Sequence, residues 1–187
     1  MGPRPYPRQY QRNIQLPDFQ PTVNFSFGYG FPNLDKYNLY GFPNYYQGSI
    51  NQTGPIFGTI DYQFNRAMSV GVMVTYGKVS APYYNYNNSA LAFNGSLKTW
   101  GIMFNFVRYF PAGENISPYL RTAIGINIEQ QNYTDTSGNK MMVPGNSSSL
   151  AYQTGIGVKF KLSKQTGLFI EAGYGKYILS GGLTLKL

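Results

Sequence analysis

The chain has 187 residues, with 15 Lys and Arg against 7 Asp and Glu, a formal net charge of +8, no His and no Cys. Without imidazole or thiol, the common neutral-pH bases, thiolate nucleophiles, disulfides and Cys/His zinc cages are excluded. Charged residues are only 12% of the chain and aromatic residues 17%, while the longest unbroken apolar run, 90–93, is far below the ~18–20 residues of a membrane-spanning helix.

In chain order, residues 1–21 come first. They carry Pro3, Pro5, Pro7, Pro17 and Pro21 with Arg4, Arg8 and Arg12, and read as an extended, polyproline-like tail. A plain linker is the simpler account of it; a docking strap for a partner protein or an anionic surface is the sharper one. The tail lacks the continuous apolar stretch of a secretory signal, so the chain is expected in its mature form.

From residue 22 onward one period dominates: apolar residues alternate with small or polar ones, the repeat of a β-strand. Strands are predicted at 22–31, 54–64, 69–79, 97–110, 118–129, 150–162, 167–175 and 179–187. The connections alternate in length. Short links fall at 65–68, 111–117 and 163–166, long ones rich in Asn, Tyr, Ser, Gly and Pro at 32–53, 80–96 and 130–149, and a last tight link at 176–178. Most prolines lie outside strand interiors, as a ladder that needs its N–H groups requires.

Sorting by parity gives two unlike faces. One carries Phe25, Phe27, Ile60, Val72, Val74, Ile102, Phe104, Ile124, Ile126, Ile156, Ile170, Leu183 and their neighbours, with no charge in mid-strand. The other is small and polar: Asn24, Ser26, Gly28, Thr59, Gly71, Asn105, Gly125, Gln153, Gly155, Gly173. A water-soluble barrel would turn the bulky face inward and cover its outside densely with Lys and Glu. The polar face here is too rich in Gly and too poor in charge for that, so the bulky face is assigned to lipid and the Gly-rich face to a narrow lumen. The predicted fold is all-β, an eight-stranded antiparallel up-and-down transmembrane β-barrel over 22–187 with an extended N-terminal tail.

Aromatic residues gather near strand ends, where an apolar ring with a polar tip suits the membrane interface. Tyr29, Phe31, Tyr76, Trp100, Tyr152 and Tyr174 are assigned to a girdle on the long-loop side, and Tyr62, Phe64, Tyr119 and Phe160 to one near the short turns. Inward charges, Asp61, Glu129 and Glu171 against Arg121, Lys159, Lys161 and Lys186, are expected to form an interior network. It serves as an ion or proton path or as a plug that holds the barrel together; the cramped interior of eight strands favours the plug. The tract 135–140 holds a single carboxylate among oxygen-bearing residues and is read as an ordinary turn. The Tyr/Asn tracts at 82–88 and 45–46 are either a recognition surface or an upward extension of the girdle.

The closing stretch Phe169-Ile-Glu-Ala-Gly-Tyr-Gly-Lys-Tyr-Ile-Leu-Ser-Gly-Gly-Leu-Thr-Leu-Lys-Leu resembles the last hairpin of the small outer-membrane β-barrel proteins of the OmpX and OmpA transmembrane-domain type, within the porin family. That family's last residue is usually aromatic, where Leu187 stands here. The resemblance covers 22–187 and implies an integral place in the outer membrane, among its lipid and lipopolysaccharide, with the long loops extracellular and both termini periplasmic. It also implies a structural, adhesive or partner-binding role, including that of an accessory subunit meeting an envelope protein through residues 1–21 or the surface loops. A narrow ion or solute channel is the alternative. Catalysis is not expected, because the small barrel enzymes lean on His; no cofactor and no metal are expected. Nucleic acid is not an expected partner, since the Lys and Arg residues are scattered singly.

Overall fold

The computed structural model describes residues 19–110, 112–113, 115–141 and 149–187. Ten strands occur among them. They are β1 (Thr22–Phe31), β2 (Tyr45–Gln47), β3 (Asn51–Gln63), β4 (Met68–Asn85), β5 (Leu91–Tyr109), β6 (Ile116–Asp135), β7 (Lys140–Met141), β8 (Leu150–Lys161), β9 (Thr166–Tyr174) and β10 (Leu179–Lys186). A short 3-10 turn, Leu34–Asn38, lies between β1 and β2. The tail predicted for 1–21 falls almost wholly outside the described residues.

Eight of these strands close a ring. β1 pairs with both β3 and β10, and antiparallel ladders run on through β4, β5, β6, β8 and β9 back to β10. Phe27, for example, sits opposite Gly58 on one side and Leu183 on the other. Closure leaves the ring itself without a sheet edge, which is what a backbone surrounded by hydrocarbon needs. The chain is an antiparallel up-and-down β-barrel, as the alternation predicts, and β2 and β7 lie off the ring, paired to β4 and β6.

Burial follows the parity. Along β1, Asn24, Ser26, Gly28 and Gly30 are buried while Phe25, Phe27, Tyr29 and Phe31 are exposed. The same inversion holds around the wall, with Ile60, Phe104, Ile124, Ile156, Ile170 and Leu183 all exposed. An apolar exterior this continuous is far larger than the patches soluble proteins tolerate, and it is what lipid requires. The nine residues of β9 give roughly 30 Å of strand, or about 23 Å of height at the usual tilt, close to the apolar band of outer-membrane barrels.

Two expectations are corrected. The segments 80–96 and 130–149 are not simply loops. β4, β5 and β6 have 18, 19 and 20 residues, about twice what the hydrocarbon needs, and their far halves rise out of the membrane as a paired arm. Ser80 lies opposite Ser96 and Pro82 opposite Asn94, while Gly95 faces Tyr133. The alternation does continue there, with Val79, Ala81 and Tyr83 buried, but its outward positions are Ser, Pro and Tyr rather than aliphatic, so the lipid signature stops before the strand does. The second correction concerns Tyr119. It is 1% exposed and points into the lumen, because it shares the parity of Arg121 on β6. The remaining assigned girdle residues face outward, with Tyr76 and Trp100 in contact at 4.7 Å between ring centroids and Tyr152 and Tyr174 at 6.2 Å.

Candidate functional site

The lumen is sealed at mid-height by one layer of charge and rings. Arg121 Nη1 lies 3.2 Å from Glu171 Oε2, with both side chains fully buried. The Tyr119 hydroxyl donates to Glu171 Oε2 at 3.0 Å and the Tyr177 hydroxyl to Oε1 at 2.9 Å, so both carboxylate oxygens are engaged. The Arg121 guanidinium is ringed by Tyr119, Phe57 and Phe169, at 5.6, 6.0 and 6.0 Å from their centroids. A cation desolvated in this way is compensated by one carboxylate and by the negative faces of the rings. Asp61, on β3, accepts from Asn105 Nδ2 at 2.6 Å and from Thr59 Oγ1 at 2.8 Å.

The glycines make this layer possible. A Cβ on Gly157 would strike the Tyr119 ring, and a Cβ on Gly30 the Tyr177 ring. The small face predicted for the lumen is therefore half of a filled interior. Large inward rings lie over bare backbone, and Phe57, Met73, Met103, Val107, Tyr119, Ala123, Ala151, Phe169 and Tyr177 form one continuous buried cluster.

The other predicted inward charges divide among different places. Lys159 donates to the Tyr109 hydroxyl at 2.9 Å and sits 5.0 Å from that ring's centroid, below the sealed layer. Glu129 lies toward the opposite mouth and accepts from Asn38 Nδ2 at 2.9 Å. Lys161 and Lys186 are exposed. Their parity is inward, but they stand at the last positions of β8 and β10, where the wall ends, so they belong to the rim at the short-turn end rather than to an interior network.

Lys176 takes the place the sequence reading gave to none of these. It is 2% exposed and its ammonium donates to Asp35 Oδ1 at 2.9 Å and to Asn127 Oδ1. Its backbone is held as well, the N–H donating to Gln153 Oε1 at 2.7 Å and the carbonyl accepting from Leu34 N at 3.1 Å. Asp35 belongs to the 3-10 turn of the first long link, so this ion pair ties that link into the mouth. Beside it is a cavity of about 160 Å³, lined by Asp35, Tyr37, Asn127, Tyr152 and Lys176 among others. The sequence hid the pair because Lys176 falls in a tight link and Asp35 in a long one, and neither has a strand parity to assign it.

Above the mouth the arm has its own core. Leu39, Val79, Ala81, Tyr83, Phe93, Leu97 and Tyr133 are buried together, with Phe42 of the first link packed against them. Phe42 meets Phe93, Tyr83 and Tyr133 edge-on at 4.7, 5.3 and 5.3 Å. The hydroxyls remain satisfied: Tyr83 donates to Tyr40 O at 2.8 Å, and Tyr133 accepts from Tyr40 N and donates to Gln131 Oε1, both at 3.0 Å. Burial pushes both phenols above their ordinary pKa.

The tyrosine tracts are divided by parity. Tyr83 and Tyr45 turn toward the arm core, whereas Tyr46 stacks on Tyr84 at 5.4 Å and meets Tyr86 at 5.4 Å on the outer side. At the tip of β6, Asp135 Oδ1 accepts from Asn139 N at 2.7 Å and Ser137 N at 2.9 Å, and Oδ2 accepts from Asn139 Nδ2 at 3.1 Å. The tract 135–140 is thus a turn closed by its own carboxylate, and those N–H donors hold the Asp135 carboxyl below its ordinary pKa.

No protein-family model matches the chain, and no curated protein does either. Among solved structures it is similar to a de novo designed transmembrane β-barrel, at 15% identity and a TM-score of 0.46, over 89% of this chain and 95% of that one. It is also similar to Ail, the attachment invasion locus protein of Yersinia pestis, alone and in complex with the heparin analogue sucrose octasulfate. Those two likenesses have 12% and 14% identity and TM-scores of 0.39 and 0.41, each over 89% of this chain and 94% of that one.

Proposed function

We propose that this protein is a non-catalytic barrel of the outer membrane that carries a stiff recognition tip above the bilayer, in an adhesive or partner-binding role. The long-loop end faces outside the cell in this reading and both termini face the periplasm. The observation that carries it is the arm. β4, β5 and β6 run seven to nine residues past the row of Tyr76, Trp100 and Ile128, packed from within by Phe42 and its neighbours, and together with β2 they carry Tyr46, Tyr84 and Tyr86 as an outward ladder, the first two half-buried and Tyr86 exposed. Rigid amphipathic tyrosines give large contact area at little entropic cost, the reason they dominate recognition surfaces. The sealed layer around Arg121 supports a structural lumen over a conducting one.

The test is display of the full chain on a heterologous Gram-negative host, measuring retention of cells on surfaces coated with matrix proteins or glycans. The triple variant Tyr46→Ser, Tyr84→Ser, Tyr86→Ser is expected to lose retention while its heat-dependent gel migration stays that of a folded barrel. Equal retention by the variant overturns the recognition role. Purified protein in planar bilayers is expected to be silent; stable ohmic steps would favour the narrow channel.

A further inference from the structure

On the outer wall, the register of β3 to β6 sets side chains in rows. One row holds Ile56, Tyr76, Trp100 and Ile128, and the rows below it toward the short turns are apolar: Val74 opposite Ile102, Val72 opposite Phe104, Val70 opposite Phe106. The next row outward is Thr53, Lys78, Lys98 and Gln130, and the one after it Asn51, Ser80, Ser96 and Asn132. The wall thus changes within two rows, about 7 Å each, from hydrocarbon-like through aromatic to cationic and then neutral polar.

Lys78 and Lys98 are directly opposite one another. Their Cβ atoms are therefore about 5 Å apart and both ammonium groups leave the same face, an arrangement that repels. No carboxylate shares that face among the described residues: Glu129, on the neighbouring strand, points inward to Asn38, and the row's other members are Thr53 and Gln130. The parity switch that places Thr53 in this row comes from the irregularity between Thr53 and Ile56, where Gly54 has φ of 74°. Two like charges with no counterion among the described residues, one row beyond a Tyr–Trp pair at the edge of the hydrocarbon, stand at the depth of lipid headgroups.

We propose that Lys78 and Lys98 form a clamp for the phosphate of an anionic lipid in the leaflet on the long-loop side, with the acyl chains running down over Tyr76 and Trp100. A phosphate oxygen accepts charge-assisted bonds from both ammoniums and cancels their repulsion, while Thr53 and Gln130 flank it with neutral polar groups. The clamp rests on the barrel's lying in a bilayer and is independent of the recognition role of the tip.

The full chain is reconstituted in nanodiscs of phosphatidylcholine alone or with a minor fraction of lipid A or phosphatidic acid, and lipids retained per barrel are counted by native mass spectrometry. The wild type is expected to retain the phosphomonoester lipid, and Lys78→Gln/Lys98→Gln to lose at least tenfold in retention. The charge-matched control Lys36→Gln/Lys140→Gln is expected to stay near wild type. Equal losses in the two double variants would reduce the effect to net charge and overturn the clamp. Displacement of the lipid by millimolar inorganic phosphate would likewise overturn it as a lipid site. Heat-dependent gel migration of each variant establishes that the barrel is intact before lipids are counted, and tip retention assays on the same clamp variant keep the two proposals apart.

Discussion

The lumen and the arm are two halves of the same barrel wall, yet they are held by different forces. Inside the membrane the outer face gains nothing from hiding in water-free surroundings, since lipid already solvates it. The interior there is fixed by an ion pair and two charge-assisted hydrogen bonds, with Arg121 paired to the Glu171 carboxylate and the Tyr119 and Tyr177 hydroxyls donating to it. Above the membrane the same strands stand in water, and the hydrophobic effect returns: Phe42, Phe93, Leu97, Tyr83 and Tyr133 pack into a neutral aromatic core. The barrel alone cannot complete that core. It is completed by the first long link, which Lys176 and Asp35 hold in the mouth.

The difference is broken most severely in the lumen. Arg121→Met leaves the Glu171 carboxyl group buried between two tyrosines without its cation, and is expected to cost about 3–5 kcal/mol. The denaturant midpoint of the folded barrel in lipid vesicles measures it. Arg121→Met/Glu171→Gln is expected to be more stable than Arg121→Met alone, because the unpaired carboxyl group goes with its partner. If the double variant is no better than the single, the pair is not what holds the layer.

In the arm the expected loss is smaller and local. Phe42→Ala removes a half-buried ring and should weaken the upper core by about 2 kcal/mol. Amide exchange at 79–83 and 93–97 then rises by about thirtyfold, while the midpoint of barrel unfolding stays put. A uniform rise along β4 and β5 would mean the arm and the lumen unfold as one unit.

This division also marks how far the sequence could be read. The strand parity is a property of neighbouring residues, so the ring, the lipid face and the inward places of Asp61, Arg121 and Glu171 were all legible. What was not legible depends on where strands end and on what links do. The arm was hidden because leaving lipid changes the outward residues to Ser, Pro and Asn without ending the ladder. Lys161 and Lys186 have inward parity but no wall left to enclose them. The Lys176–Asp35 pair joins two links separated by 141 positions, and no local period reports such a contact. Tyr119 was legible and was assigned to the wrong face; its odd number beside Arg121 decides it.

The tie between the two halves should be weaker than either. Asp35→Asn removes the carboxylate but leaves Lys176 with Asn127 and the adjoining cavity, so a loss of about 1–2 kcal/mol is expected. Trypsin cleavage after Lys36 measures it: Asn at position 35 should speed the cut about tenfold without changing barrel stability. A variant as resistant as the wild type would show that Phe42 alone seats the link.

The smallest effect lies at the tip, and it isolates the role of solvent. Asp135, like Glu171, is a carboxylate with every oxygen engaged by donors, but it stands partly exposed at a loop tip instead of buried in the lumen. Its folded pKa is lowered chiefly by the backbone N–H of Asn139, so the turn is fully supported above the ordinary carboxylate pKa. That support is lost as pH falls through the depressed folded value. The amide resonances of Ser137, Gly138 and Asn139 should therefore hold steady from pH 7 to about 5 and move together below about pH 4. Asp135→Asn should abolish that movement, and added salt should diminish the stabilisation because exposed charges are screened. If the same resonances move equally in the variant, the donors at the tip are not ordered by this carboxylate. The large cost expected at Glu171 then has to come from burial alone, without the geometry that the two sites share.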